Sequence, residues 1–392
     1  MDRKEKILII SAFPPNRMTA GQNFTKNFIE RISKYYHVDI VYFNYPGHQL
    51  EIECIDNVSF VELNVSKLFS LLFMFLGLIF FINPLFAKRF DIRYCFLIRN
   101  LIKKNNYKFV IFNYSQVFIY SLCLLRFDNI CRIFIIHDVI YQLFQRVNSF
   151  GGYILSILAF LTEKILFRIN YKRGAHFFTF SKKDKNLILN NYGITCREIH
   201  FYLDENVLNT EIKELENSVC LYGAWNRKEN LEILMFFFQK IYFDLKKAKP
   251  DVIIYIVGSG IEKNLTIIPS DTNIKILGFI DNPYEIISKS KLLFAPLFHG
   301  AGVKVKVIEA LATGTPVIGT DITFEGIEFD EGIILINPDN VKEILEKIIY
   351  LLDNVDTKYK IYLRERFLKI YYNEELFLDK ILNFINCGEI KK

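Results

Sequence analysis

The feature that most constrains the fold is a repeated alternation of short apolar runs with longer helical patterns. Both faces of these runs are rich in β-branched and aromatic residues, which is typical of parallel strands covered by helices. The alternation therefore predicts an α/β fold with two doubly wound parallel sheets. The runs are KILIISAF, VDIVYF, KFVIFNYS, CRIFIIHD and HFFTFS in the first half, and SVCLYGAW, DVIIYIVGSG, IKILGF, LLFAPL and TPVIGT in the second.

A polar and acidic stretch, DENVLNTEIKELEN, divides this alternation into two halves. Few contacts cross a linker of this kind, so it predicts a domain boundary. We expect an N-terminal Rossmann-like domain over residues 1–208 and a C-terminal Rossmann-like domain over residues 209–360, which suits a chain of 392 residues. Residues 361–392 space their large apolar side chains as a helix does. We predict that they form a terminal helix that packs back across both domains.

Composition excludes several classes of protein. Hydrophobic residues make up 51% of the chain and charged residues 23%, which supplies a packed interior and argues against disorder. The net charge of +6 is spread over many clusters. A nucleic-acid groove needs a concentrated basic stripe, so we expect anionic small molecules or a lipid surface as partners, and no nucleic acid. Seven cysteines without a C-x-x-C pair predict reduced thiols in a cytoplasmic protein.

One segment does not fit a plain soluble domain. Residues 68–87 begin with nearly unbroken apolar positions and end next to basic residues. The run is shorter than the about 20 residues that a spanning helix needs, and Pro84 breaks it. Two alternatives stay open, a buried core helix and a helix in the membrane interface. In the second, the residues that face anionic headgroups are Lys88, Arg89, Arg93 and Arg99.

The stretch HGAGVKVKVIEALATGTPVIGT, residues 299–320, places small residues before a lysine-containing helix. We predict that this helix begins near Val303. Glycines at its entry leave the first-turn N–H groups unobstructed, and those donors together with the helix dipole favour a phosphate. Lys304 and Lys306 add charge-assisted contacts, and Glu309 is an acceptor for a diol such as a ribose. The alternative, an ordinary helix with surface lysines and a Lys306–Glu309 pair, stays open.

A second candidate lies in the N-terminal half. His137 ends the strand CRIFIIHD, and the ligands of open α/β sheets gather at that end of the strands. As a neutral imidazole, His137 can hydrogen-bond a sugar hydroxyl or steady a developing charge. A lone histidine is more often a structural residue, but its place at the strand end favours a functional role.

Motifs for metals and cofactors are absent from the sequence. IIYIVGSG has Lys263 where a dinucleotide fingerprint needs its third glycine, so it predicts a strand-to-helix turn. No D-x-D, zinc-ligand spacing or P-loop sequence occurs. We therefore expect no metal and no cofactor, with lysines and a helix end handling the phosphates of a substrate.

The stretch APLFHGAGVKVKVIEALATGTPVIGTDITFEGI resembles the donor-binding signature of the retaining GT-B glycosyltransferases grouped as glycosyltransferase family 4, or glycosyl transferases group 1. Weaker similarities run in the family's order over most of the chain, in FPPNRMTAGQNFTKNFIERIS, FIIHDV, HFFTFSKKDKNLI, LYGAWNRKENLEIL and ILGFIDNPYEIISKSKLLFAPL. The resemblance implies a GT-B fold, in which two Rossmann-like domains face a central cleft. The N-terminal domain would bind the acceptor, and the C-terminal domain the nucleotide sugar.

Residue by residue, the resemblance implies a set of site residues. Backbone amides of residues 302–305 hold the donor diphosphate, Lys306 and a basic residue at 227 or 228 neutralise it, and Glu309 binds the ribose. Residues of the first loop face the diphosphate, and His137 reaches the transferred sugar. The implied donor-binding residues are Gly21, Gln22, Arg227, Lys228, Gly302, Val303, Lys304, Val305, Lys306 and Glu309, and the implied catalytic residues are His137 and Lys306.

The sequence also departs from the family's pattern. Many members carry a glutamate that grips the donor sugar where this chain has Ala301. The usual Gly-Gly of the first loop is Ala20-Gly21, and the usual Gly-Arg that opens the second domain is Gly223-Ala224. The first departure bears on the choice of sugar, and none removes the predicted phosphate site.

The resemblance implies a metal-independent hexosyltransferase that moves a sugar from a nucleoside diphosphate sugar to an acceptor hydroxyl, with retention. The apolar segment 68–87 favours a lipid-linked glycan acceptor at the inner face of the plasma membrane, as in bacterial capsule, O-antigen or exopolysaccharide synthesis. Two alternatives are a nucleotide-sugar epimerase with the same fold, for which Asp138 is a candidate carboxylate, and a catalytically silent, membrane-docked scaffold.

Overall fold

The computed structural model describes residues 4–16, 20–44, 52–147, 149–201, 203–371 and 381. The described residues form two compact units that part between residues 201 and 203. Each unit is a parallel sheet covered by helices, and all the apolar runs quoted above contain strands.

The described part of the first unit contains a seven-stranded sheet in the order β3-β2-β1-β4-β5-β6-β7. This order is that of a doubly wound sheet, in which the chain reverses direction across the sheet beside the first strand. The strands are β1 Lys6–Ser11, β2 His37–Asn44, β3 Val58–Asn64, β4 Tyr107–Asn113, β5 Cys131–Ile136, β6 His176–Thr179 and β7 Arg197–Glu198. The helices are α1 Ala20–Ile32, α2 Lys67–Ile79, α3 Pro84–Ala87, α4 Ile92–Lys104, α5 Ile140–Gln145, α6 Phe150–Tyr171 and α7 Lys182–Tyr192, with a 3₁₀ segment over Ser115–Leu124.

The second unit repeats this design with six strands among its described residues, in the order β10-β9-β8-β11-β12-β13. Its strands are β8 Glu216–Tyr222, β9 Ile253–Val257, β10 Ile274–Gly278, β11 Ser290–Phe294, β12 Val317–Gly319 and β13 Ile333–Leu335. Its helices are α8 Glu205–Asn209, α9 Lys228–Phe236, α10 Tyr242–Ala248, α11 Tyr284–Lys289, α12 Val305–Ala312, α13 Val341–Asn354 and α14 Thr357–Tyr371. A π turn over Phe237–Ile241 joins α9 to α10, and short 3₁₀ turns cover Ile261–Lys263 and Leu265–Ile267.

Parallel pairing brings the carboxyl ends of the strands to one edge of each sheet. In the first domain, Ser11 at the end of β1 is in register with Asn113 at the end of β4. His137 follows β5 directly at the same edge. In the second domain, the turns after β8 and β9 and the loop from β11 to α12 leave the corresponding edge. The fold therefore collects polar residues at the edge where ligands of such sheets bind.

Helix α14 is fixed to the second domain by a buried lysine. The Lys360 ammonium is fully buried and donates hydrogen bonds to backbone carbonyls at the end of α11, including that of Ser290 at 2.7 Å. Burial lowers the pKa of Lys360 well below its usual value. Of the terminal helix predicted over 361–392, residues 361–371 belong to α14. The rest, apart from Ile381, lies outside the described residues.

The apolar segment 68–87 forms two helices, α2 and α3, and not one buried helix. Only Ser70 and Gly77 of α2 are buried, while Phe75 exposes 62% of its surface. The core-helix alternative is therefore wrong for α2. Arg89 was expected at a lipid surface, but it is buried with its guanidinium 5.0 Å from the Phe13 ring centroid, and burial lowers its pKa to about 9.

The exposed large apolar residues of this region are Leu68, Phe69, Leu71, Leu72, Phe75, Leu78, Ile79, Phe80 and Phe81. Among the described helices, α6 is long and apolar enough to cross a membrane, by length and composition only. A large share of α6 is packed inside the first domain. Apolar surface is thus concentrated on two neighbouring elements of the first domain.

The cysteines differ in one respect from the prediction. The structure joins Cys95 of α4 to Cys123 of the 3₁₀ segment, whereas the spacing of the cysteines predicted reduced thiols throughout. Spacing in the sequence does not register this pairing, because packing of α4 against the 3₁₀ segment brings the two residues together. Among the described residues, the free cysteines are Cys54, Cys131, Cys196 and Cys220.

Candidate active site

The turn that leads into α12 is built around two glycines with left-handed backbone conformations. Gly300 has φ 133° and Gly302 has φ 68°, which side-chain-bearing residues rarely adopt. The helix begins at Val305, two residues later than predicted, and Val303 is buried outside it. The residue that caps the helix, Lys304, makes no side-chain capping bond. The Val307 N–H donates to the Lys304 carbonyl at 2.9 Å, while the first turn has no side-chain cap, which leaves N–H groups at its start for an anion.

Lys304 does not project freely, as the sequence suggested. Its ammonium donates to the carbonyl of Ala301 at 2.9 Å and to that of Gly302 at 2.5 Å. These bonds hold the turn in its shape from within. Lys304 consequently supports the glycine turn as well as adding positive charge to it.

Lys306 is a half-buried cation in the first turn of α12. Its ammonium donates to Asn230 Oδ1 at 2.9 Å, and no carboxylate among the described residues forms an ion pair with it. Burial, together with the charges of Arg227 and Lys304, lowers the pKa of Lys306 to about 7. A cation that loses hydration and gains only a neutral partner is costly, and an anion at this position would offset that cost.

Asn230 sits where it does because Gly223 lacks a side chain. A Cβ at Gly223 would lie 2.9 Å from the Asn230 amide. Asn230 is buried, and its Nδ2 donates to the Ala224 carbonyl at 3.0 Å, which directs Oδ1 towards Lys306. The turn after β8 thus positions the lysine of α12.

Arg227 and Lys228, at the start of α9, are the two basic residues predicted to neutralise the diphosphate. One of them lies near Lys306. Arg227 lies close enough to lower the pKa of Lys306, and it pairs with Glu229 at 2.5 Å. Lys228 exposes 85% of its side chain and lies 3.8 Å from Glu232. The second cation near the turn is therefore Arg227.

Glu309 lies buried one turn further along α12 and does not pair with Lys306. Its Oε1 accepts a hydrogen bond from the Tyr284 hydroxyl at 2.9 Å. Burial raises the pKa of Glu309 to about 8, the Tyr284 bond opposes this, and nearby Asp204 adds to it. The surface Lys306–Glu309 pair that the sequence left open is absent from the described side chains, so the glutamate keeps acceptor capacity.

Of the first-domain candidates, Gly21 and His137 contact Tyr114. Gly21 and Gln22 lie in the first turn of α1, where Gln22 is buried. The Tyr114 hydroxyl donates to the Gly21 carbonyl at 2.5 Å, and a Cβ at Gly21 would lie 2.5 Å from that hydroxyl. Close packing with Tyr114 accordingly gives Gly21 a structural reason to be glycine.

His137 is buried in an aromatic cage at the carboxyl edge of the sheet. Its ring stacks on Tyr114 with centroids 3.7 Å apart, and the rings of Phe24 and Phe180 pack at 4.9 and 4.8 Å. Burial lowers the pKa of His137 well below its usual value. The imidazole is therefore neutral at physiological pH, as its proposed role with a sugar hydroxyl requires.

One hydrogen bond fixes the His137 tautomer. Asn113 Nδ2 donates to Thr25 Oγ1 at 3.0 Å, so Asn113 Oδ1 remains as the acceptor 2.8 Å from His137 Nε2. His137 Nε2 consequently carries the proton. The other ring nitrogen, Nδ1, is then an acceptor for a ligand hydroxyl.

Comparison with known proteins finds a family match in the second domain. Residues 216–354 match the family described as Glycosyl transferases group 1. The matched residues include the α12 turn with Lys306 and Glu309. The chain is a glycosyltransferase.

Solved structures resemble the glycosyltransferase over its whole length. Sucrose-phosphate synthase from Thermosynechococcus elongatus is 18% identical with a TM-score of 0.70, over 98% of this chain and 99% of that one. S. aureus TarM, in complex with Fondaparinux, alpha-GlcNAc-glycerol and UDP, is 14% identical with a TM-score of 0.66, over 97% of this chain and 100% of that one. Anabaena HepE, in complex with UDP and glucose, is 12% identical with a TM-score of 0.65, over 97% of this chain and 99% of that one. At such identities the likeness shows the fold, and the predicted α/β, GT-B fold class is confirmed.

No curated protein matches the glycosyltransferase in sequence. Its predicted donor residues on the second domain lie at or near one turn, except Lys228, and Gly21 and His137 of the first domain both contact Tyr114. Among the described residues, no group of three or more His, Cys, Asp or Glu side chains is placed to hold a metal ion.

Several residues of these sites escaped the sequence-based prediction. Asn230 and Tyr284 hold the side chains of Lys306 and Glu309, and they come from distant parts of the chain. Asn113 and Tyr114 hold His137. The one signal that points to the second pair is the polar ending of the strand run KFVIFNYS, which places an asparagine at the ligand edge of the sheet.

Proposed function

We propose that this glycosyltransferase moves a sugar from a nucleoside diphosphate sugar to an acceptor hydroxyl, with the donor diphosphate at the α12 turn. The observation that carries the proposal is Lys306, a partly dehydrated cation without a carboxylate partner among the described residues, in a helix turn without a side-chain cap. The doubly charged diphosphate supplies what this turn lacks.

The rest of the second-domain site fits the remainder of a nucleotide. The Glu309 carboxyl is buried near the first turn of the same helix and is suited to a ribose hydroxyl pair. Arg227 is suited to the diphosphate. HepE and TarM have been crystallised with UDP, which makes UDP the first nucleotide to try.

Catalysis in this proposal is mainly electrostatic. The diphosphate gains negative charge as it leaves the sugar, and preorganised amides with Lys306 stabilise that charge. No metal takes part. His137 Nδ1 accepts a hydrogen bond from a hydroxyl of the transferred sugar, and transfer proceeds with retention.

The proposed acceptor is a glycan or lipid-linked glycan at the inner face of the plasma membrane, in bacterial surface polysaccharide synthesis. The exposed apolar face of α2 supports this acceptor, because water-exposed apolar surface of such extent marks a protein or membrane contact. Basic residues flank that face. Lys67 and Lys88 are exposed, and the Arg93 guanidinium lies 4.8 Å from the exposed Phe69 ring.

A thermal-shift screen of UDP, GDP and ADP tests the donor site. The matching nucleotide at a concentration of 100 Kd is expected to add about 2.7 kcal/mol to the free energy of unfolding, because it binds the folded chain alone. The measurement is the melting temperature with each diphosphate, each monophosphate and inorganic phosphate. If no diphosphate raises the melting temperature more than the corresponding monophosphate does, the proposed diphosphate site at this turn is wrong.

Substitution of the α2 face tests membrane docking. Leu71→Ser, Phe75→Ser and Leu78→Ser together are expected to lower binding to phosphatidylglycerol vesicles at least about tenfold, because each side chain buried in lipid contributes about 1.5–3 kcal/mol. The three residues follow one helical face and are exposed, so the fold should tolerate the changes. Vesicle flotation measures the bound fraction. The matched control is Phe243→Ser with Ile276→Ser, two exposed residues of the second domain. Equal flotation of the α2 variant and the unchanged chain would reject docking through α2.

A further inference from the structure

A groove runs between α5 and α6 in the first domain. Its volume is about 730 Å³, within the range of small-molecule sites. Tyr141 of α5 and Phe160 of α6 contact each other across the groove with ring centroids 5.6 Å apart. The groove is also lined by Phe150, Tyr153 and Ile157 of α6. A groove with aromatic and aliphatic walls suits an apolar chain.

Helix α6 carries the apolar wall of the groove out to solvent. Phe150, Tyr153 and Ile157 line the groove and are also exposed, with Phe150 80% exposed. Three further exposed residues continue the same helical stripe beyond the groove, namely Ile154, Leu161 and Ile165. The apolar wall of the groove is therefore continuous with an exposed apolar stripe on α6.

The groove and the apolar face of α2 belong to one unit. Asn83, in the turn between α2 and α3, donates its backbone N–H to Thr162 Oγ1 at 2.9 Å. Its side chain donates to the Leu155 carbonyl at 2.8 Å. Both partners lie on α6, so α2 and the helix that forms the groove are neighbours in the first domain.

The charges at the groove favour an anionic ligand. Arg146 is one of its lining residues, and the described lining residues include no acid. The Lys164 ammonium lies 5.3 Å from the centroid of the Phe160 ring, which forms part of the wall. A ligand with an apolar chain and a phosphate head matches both the walls and these cations.

The groove is also tied to the candidate catalytic residue. Tyr141 follows His137 by four residues. The buried Glu163 carboxylate of α6 accepts the N–H of Ile140 at 2.7 Å and that of Tyr141 at 3.2 Å. This bond pair fixes the start of α5, and with it the groove wall, relative to the loop that leaves β5.

We propose that the groove between α5 and α6 holds the apolar chain of a lipid-linked acceptor, with its phosphate beside Arg146 and its sugar towards His137. The inference rests on the proposed function, because it assigns the acceptor side of the same transfer. A lipid is favoured over a peptide because the groove opens onto an apolar stripe and carries cations at its wall.

Photolabelling with a dodecyl phosphate that carries a diazirine near the chain end tests the inference on the full chain without donor. Below the micelle concentration, label is expected in peptides that cover residues 141–160. Excess dodecyl phosphate is expected to compete, whereas inorganic phosphate and dodecanol compete at least about tenfold less well, because each supplies only one half of the ligand.

A groove variant and a matched control separate the groove from the rest of α6. Tyr153→Ser with Ile157→Ser is expected to lower labelling at least about tenfold. Ile154→Ser with Ile165→Ser changes exposed residues of the same helix outside the groove and is expected to retain it. Label on α2 alone, equal loss in both variants, or competition by inorganic phosphate alone would overturn the proposal. The nucleotide thermal shift is measured on the same samples. If the chain binds a diphosphate but is not labelled, only the assignment of the groove is rejected, and the proposed donor site stands.

Discussion

Replacing Lys306 with alanine is expected to lower kcat/KM for sugar transfer by about 10²–10³-fold, the usual effect of removing one preorganised donor to a developing negative charge. Asn230 then loses the cation that it holds at 2.9 Å. The fold should persist, because burial of this ammonium is unfavourable in the absence of ligand. Release of the nucleoside diphosphate from the donor identified by thermal shift, with the melting temperature as the folding check, measures the effect.

Three further variants are compared with Lys306→Ala. Lys304→Ala removes an ammonium that bonds to its own turn and is expected to cost less than Lys306→Ala. His137→Ala is expected to lower transfer while the Kd of the nucleotide stays unchanged, because His137 lies in the first domain. The double variant Lys306→Ala with Glu309→Ala distinguishes an enzyme from a silent scaffold. If a folded Lys306→Ala chain kept full turnover, the assignment of the diphosphate to this turn would be wrong.

The affinity for the nucleoside diphosphate is expected to fall with rising pH, by about 50-fold from about pH 7 to about pH 9. In the free chain the pKa of Lys306 is lowered to about 7, so the amine is mostly neutral above that pH. The diphosphate favours the ammonium and raises this pKa in the complex. Binding therefore takes up one proton above pH 7, which costs about tenfold in affinity per pH unit.

Titration calorimetry across this pH range, in buffers of different ionisation enthalpy, measures both the Kd and the proton uptake. Lys306→Arg retains its charge at every pH tested and is expected to bind with a flatter profile. Glu309→Gln removes the neighbouring carboxyl, whose pKa is raised to about 8, and isolates the contribution of the lysine. A wild-type profile as flat as that of Lys306→Arg would contradict the assignment.

The strands could be predicted because a parallel strand buried on both faces leaves a continuous apolar run in the sequence. The strands that were missed lack such a run. β3 is an edge strand that is mostly half-buried or exposed, β7 has two residues, and β13 is a short edge strand. The α2 segment was ambiguous for the opposite reason, since an apolar run records composition and not whether neighbours cover it.

The sites were predictable where their chemistry is local. The glycine turn before α12 is visible as a short motif, and His137 as the polar end of a strand. Asn230 lies 76 positions from Lys306, and Tyr284 lies 25 positions from Glu309, so no local pattern records these bonds. The orientation of Lys304 depends likewise on the shape that Gly300 and Gly302 give the turn.

The apolar side chains that α2 and α6 present to solvent have a consequence for kinetics. A chain docked through them searches for its acceptor in two dimensions. Its rate would then follow the mole fraction of acceptor in the bilayer, and adding inert lipid would slow it even at a fixed total amount of acceptor.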